Sequence, residues 1–73
     1  RFDEAVDTLE RAVELVPDDP IILEHLGDAY RKTGQTEKAL DAYRRSLREK
    51  TDADEAEIES LREKIRELTE GGV

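Results

Sequence analysis

The side chains of this sequence that could do chemistry are nearly all carboxylates: 20 Asp and Glu accompany 12 Lys and Arg, with a single His and no Cys. Glu10, Glu14, Glu24, Asp28, Glu59 and Glu63 offer paired acids or oxygen ligands for calcium, but they fall within helical patterns and lack the loop that a calcium site requires. They read as solvated helix faces. His25 lies near Glu24 and Asp28, yet a structural metal site takes four ligands, usually with further His or Cys, so His25 is expected to be a partly exposed surface residue. Ser46 and Ser60 sit in neither a glycine-rich phosphate loop nor a nucleophile elbow. No catalytic residue, no metal site and no cofactor are expected, and the chain does not read as an enzyme. Tyr30 and Tyr43 have rings that can stack on a ligand, but their positions suit core packing with the hydroxyl near the edge.

The elements that must position these groups are helices. Phe2, Ala5, Val6, Leu9, Ala12, Val13 and Val16 recur at spacings of three and four, the stripe of an amphipathic helix that Pro17 stops. Asp18-Asp19-Pro20 is a turn and a new start, since Asp19 can cap the free amides of a second helix and Pro20 suits its first turn. That helix places Ile22, Leu23, Leu26, Ala29 and Tyr30 inside and stops at Gly34, a residue suited to left-handed backbone. Thr36 is the expected cap of a third helix that buries Ala39, Leu40, Tyr43 and Leu47, and so short a connection makes helices two and three antiparallel.

Thr51 to Asp54 breaks the pattern again, and either Asp52 with Glu55 or Asp54 with Glu57 has the spacing of a capping box. The last helix carries Ile58, Leu61, Ile65 and Leu68 on a narrow stripe and stops at Gly71-Gly72. The stripe also fits two coiled-coil heptads, fewer than a stable coiled coil sustains, so packing on Leu40, Tyr43 and Leu47 is the expectation. No segment alternates as a half-buried strand does; the fold class is all-α, with four helices.

Shifted against itself by 34 residues, the sequence aligns Ala5 with Ala39, Val6 with Leu40, Asp7 with Asp41, Leu9 with Tyr43, Arg11 with Arg45, Val13 with Leu47 and Asp18 with Asp52. A helix-turn-helix unit of this period resembles the tetratricopeptide repeat (TPR), and Leu23, Leu26-Gly27, Tyr30, Gly34, Ala39 and Tyr43 match that family's signature in order and spacing. The resemblance implies one domain over 1–73 with the antiparallel helix-turn-helix repeats of a right-handed solenoid fragment. Residues 20–50 form a complete repeat, and 1–17 form the second helix of a truncated one, with Phe2, Ala5, Ala12 and Pro17 at the family's places. The small residues Gly27 and Ala39 are expected to let helices two and three approach closely. Ser46 replaces a usual Ala and Thr51 a usual Pro, and the next helix aligns only after one extra residue, with Arg62 where Gly27 stood. Residues 54–70, apolar on one seam and polar elsewhere, suit a capping helix that ends the array.

By the same resemblance, the helices that open each repeat line a concave surface at Ile21, Glu24, Asp28 and Arg31, with His25 beside them, and at Ala56, Glu59, Glu63 and Arg66. Glu24 and Asp28 stand where some family members hold a peptide's terminal carboxylate with Lys and Asn, so an acidic terminus would be repelled. The expected function is a protein-protein interaction module that binds a peptide or partner bearing Lys or Arg on an acidic concave surface. The alternative is a structural role, with self-association through Phe2, Val6, Leu9 and Val13 into a homodimer. The formal charge of −8, with basic residues interleaved among acidic ones, argues against nucleic acid. The longest apolar run, Ile21 to Leu23, is far short of a bilayer span, so a soluble piece is expected with no membrane partner. The absence of Cys is compatible with a reducing compartment such as the cytoplasm. The chain opens at Arg1 inside a helical pattern, as a segment of a longer protein would.

Overall fold

The computed structural model describes residues 1–52 and 54–70, which form four α-helices: α1 (Phe2–Leu15), α2 (Pro20–Lys32), α3 (Thr36–Glu49) and α4 (Glu55–Glu70). Several of the boundaries have a local cause. Val16, the residue before Pro17, leaves helical backbone at φ −135° and ψ 75°, as a following proline disfavours the helical region, and α1 stops there. Asp19 caps α2 by accepting from the amides of Ile21 at 2.9 Å and Ile22 at 3.2 Å, and Pro20 takes the first helical position, where no N–H is needed.

At the other end of α2, Gly34 is left-handed at φ +79°. The Gln35 amide reaches back to the Tyr30 carbonyl at 2.9 Å and the Gly34 amide to the Arg31 carbonyl at 3.2 Å, the paired bonds of a Schellman turn. This turn shifts the start of α3. Gln35 occupies the capping position, its carbonyl accepting from the Ala39 amide at 2.9 Å, and Thr36 is already helical. The expected Thr36 cap is therefore absent, and α3 starts with no side-chain cap, because a turn this tight leaves one residue between Gly34 and the helix.

Of the two capping-box frames before α4, the structure adopts Asp54 with Glu57. The Glu57 amide donates to Asp54 Oδ1 at 2.9 Å, and the Asp54 amide donates to Glu57 Oε2 at 3.2 Å. The Gly71-Gly72 stop lies outside the described residues.

The core sits mainly between α2 and α3, which pack most extensively on each other, with α1 against α2 and α4 against α3. Leu23, Leu26, Ala29 and Tyr30 of α2 and Ala39, Leu40, Ala42 and Tyr43 of α3 are buried, joined by Val6 from α1 and Leu61 from α4. Ile65 and Leu68 lie half-buried against this cluster, so the α4 seam is spent within the chain. Gly27 makes a close approach possible, and the atoms nearest its missing side chain belong to Tyr43. A Cβ on Gly27 would lie 2.5 Å from two ring carbons of Tyr43, so the missing side chain makes room for an aromatic ring. Ser46, where the repeat usually has Ala, is fully buried and donates to the Pro20 carbonyl at 2.7 Å, tying the end of α3 to the start of α2.

Candidate functional site

α2 and α4 present their charged residues to each other across a shared face. Helical spacing puts Glu24, Asp28 and Arg31 on successive turns of α2, and Lys64 and Glu67 on the side of α4 that also carries Leu61 and Leu68. Lys64 Nζ lies 2.8 Å from Glu24 Oε2 and 3.1 and 3.3 Å from the two oxygens of Asp28. Lys50, just past α3, approaches Glu24 Oε1 at 3.4 Å, with its side chain only 7% exposed. Farther along, Arg31 meets Glu67 at 2.9 Å. Arg66 holds Glu59 at 3.0 Å and Glu63 at 2.8 Å along α4 alone.

Beneath these ions lies Tyr43. Its hydroxyl donates to Asp28 Oδ1, and its ring faces the Lys64 ammonium at 5.8 Å from the centroid. Burial first, then the bond to Asp28, pushes the Tyr43 hydroxyl well above its ordinary pKa of 10.0. Burial alone would lower Lys64, but its bonds to Glu24 and Asp28 outweigh this and hold it above the ordinary lysine value. Arg31 and Arg66 are likewise raised, each chiefly by hydrogen bonds to its carboxylate partners. Tyr30 has a parallel arrangement on the opposite side of α2. Its hydroxyl donates to Glu10 of α1, and burial with that bond pushes it up to about 12.

The sequence-derived site residues fall into three groups. Glu24, Asp28 and Arg31 take part in the α2–α4 bridge, whereas Glu59, Glu63 and Arg66 form a separate exposed cluster on α4. Ile21, His25 and Ala56 are exposed without such partners; Ala56 borders a shallow depression with Glu24, Lys50, Asp54, Glu57 and Ser60. Most of the charges named here are paired within the chain. Glu24, Asp28, Glu59, Glu63 and Glu67 are matched by Arg31, Lys50, Lys64 and Arg66, five acids to four bases. Sequence reasoning missed Lys64 and Lys50. The available signal was the position of Lys64 three residues after Leu61, a cation on the flank of a buried seam.

The residues expected at a self-association surface do not share one exposure. Phe2 is exposed beneath the Lys32 ammonium, 5.2 Å from its ring centroid, while Leu9 and Val13 are half-buried against the core and Val6 is inside it. Val6 is removed from any such surface because α2 covers it. Among the described residues, the large apolar side chains left in water are Phe2, Leu15, Val16 and Ile21, the last three flanking the α1–α2 turn.

Among the described residues, no group of three or more His, Cys, Asp and Glu is arranged to hold a metal ion, and no helix is long and apolar enough to cross a membrane. Compared with known families, residues 1–58 match the family model described as Tetratricopeptide repeat, a span that runs through α1, α2 and α3 into the first turn of α4. No curated protein and no solved structure matches the chain.

Proposed function

The chain belongs to the tetratricopeptide repeat family, a scaffold fold that generally mediates protein-protein interaction and is generally not enzymatic, and from this premise we propose that its α2–α4 face binds a peptide or partner segment bearing Lys or Arg. One observation carries the reading: the carboxylates of Glu24, Asp28 and Glu67 line the α2–α4 bridge, Glu59 and Glu63 stand in a further exposed cluster on α4, and each of the five engages a cation. Of their partners, Arg31, Lys64 and Arg66 are partly exposed, a setting in which ion pairs contribute little and can exchange for those of a ligand. α4, apolar toward α3 and charged outward, serves in this reading as the terminal element of the array.

Neutralising Glu59 and Glu63 to Gln leaves the α2–α4 bridge in place and removes two carboxylates from the exposed side of α4 that a ligand on this face would meet. Binding of a blocked alanine–lysine peptide is expected to weaken several-fold and to lose part of its salt dependence, with helicity unchanged. Equal affinity and an equal salt slope in the variant would sink the reading. Self-association remains the second reading, favoured by Leu15, Val16 and Ile21 at 83%, 48% and 59% exposure around one turn. A mass that rises with concentration in light scattering, in a protein that ignores the peptide, is its mark.

A further inference from the structure

We propose that Glu24, Asp28 and the Tyr43 ring form a receptor for a primary ammonium group, that Lys64 occupies it in cis, and that a partner's lysine enters only by displacing Lys64. The inference rests on the α2–α4 face being the interaction face. An ammonium has three donors and no acceptor. In this site it meets a Glu24 oxygen at 2.8 Å, Asp28 oxygens at 3.1 and 3.3 Å, and the face of an aromatic ring at 5.8 Å. The two carboxylates stand one helical turn apart and converge on one point, a geometry that suits a compact cation, whereas the planar fork of a guanidinium is matched best by one carboxylate edge-on.

The receptor is built without α4. Asp28 is oriented by the Tyr43 hydroxyl from α3, Glu24 is held by Lys50, and Gly27 admits the ring against α2. All of these belong to the α2–α3 hairpin and the residue that follows it. Lys64 is the one component that arrives on α4, where Leu61 is the single buried side chain. The site is also open: Lys64 is 28% exposed and Asp28 38%, so another ammonium can approach while Lys64 is in place. A resident cation of this kind reduces the apparent affinity of a competitor by the fraction of molecules in which the site is free. α4 thereby acts as a self-ligand as well as a cover.

The test is an NMR titration of the full chain with a blocked alanine–lysine peptide, with an alanine–arginine peptide in parallel. In the native chain, the Lys64 side-chain resonances should carry a ring-current shift from Tyr43 and lose it as the lysine peptide binds. Lys64→Gln should bind that peptide at least several-fold tighter, and adding Asp28→Asn should cancel the gain. Peptide binding that leaves the Lys64 resonances in place, or a Lys64→Gln variant that binds no tighter, overturns the inference while sparing the broader reading. An equal gain with the arginine peptide overturns the preference for ammonium. No binding to any variant overturns both. Should Lys64→Gln not fold, the native-chain resonances decide alone.

Discussion

The α2–α3 hairpin and α4 are attached to the molecule by different physics. The hairpin is fixed by shape. The Tyr43 ring lies where Gly27 has no side chain, Ala39 and Ala42 close the helices, and Ser46 satisfies a carbonyl of the opposite helix. α4 is fixed by one fully buried leucine, a half-buried seam and a set of ion pairs. Shape of the first kind is unforgiving, because an interior packed to crystal-like density cannot accept an added atom without moving. Charge of the second kind is adjustable, since partly exposed pairs are each worth only ~0.2–1 kcal/mol and are screened by salt. The invariable part of the molecule is therefore its centre, and the negotiable part is the helix that borders the proposed binding face.

Leu61→Ala tests this difference most severely. Removing a fully buried leucine side chain costs about 2–5 kcal/mol, and here the loss should fall on α4. The expected result is a partial loss of helicity, with the Tyr43 ring signals of the hairpin retained. A single cooperative loss of all helices would mean that α4 and the hairpin are one unit. Gly27→Ala probes the other region. Its methyl must displace the Tyr43 ring, at an overpacking cost of ~1–3 kcal/mol, and the melting temperature should fall with the whole chain unfolding together. An unchanged melting temperature would show that the ring has room to move and that shape is not what holds the hairpin.

The gentlest probe is alkaline pH. Tyr30 is raised from 10.0 to about 12, and Tyr43 and Lys64 are also raised above their ordinary values. Each folded form retains its proton over a range where the unfolded chain releases it, so their stabilisation is complete below about pH 10 and declines as pH rises through the folded values. Urea midpoints measured between pH 9 and 12 should fall steadily above pH 10. A flat profile would show that folding does not raise the proton affinity of either tyrosine.

What could be read in the sequence was what neighbouring residues decide. Asp19-Pro20 and Gly34 set the ends of α2 through bonds spanning five residues or fewer, and the apolar stripes followed from helical period. The finer alternatives depended on geometry with no composition signal. Thr36 and Gln35 both suit the start of α3 until the Schellman turn fixes the register, and Asp52 and Asp54 offer the same box. The candidate site was half legible for a related reason. Glu24, Asp28 and Arg31 were placed by the repeat, but their partners Lys64 and Glu67 lie 36 to 40 residues away along the chain. The Ser46 bond to Pro20, across 26 residues, is of the same long-range kind. So is the Tyr43 ring, seen as core but not as the neighbour of Gly27.

The Schellman turn at Gly34 also bears on the order in which the chain assembles. With only Thr33, Gly34 and Gln35 between α2 and α3, bringing these helices together closes a very short loop, and the largest interface in the molecule is made from contacts near in sequence. Such topology favours fast folding, with helix formation and short-loop closure both on submicrosecond timescales. The hairpin then supplies the template, with the Tyr43 ring seated and the Asp28 carboxylate oriented, before the last helix arrives with its lysine. A segment emerging in chain order thus completes the receptor first and its own occupant second, which leaves an interval in which the face is open to whatever cation reaches it.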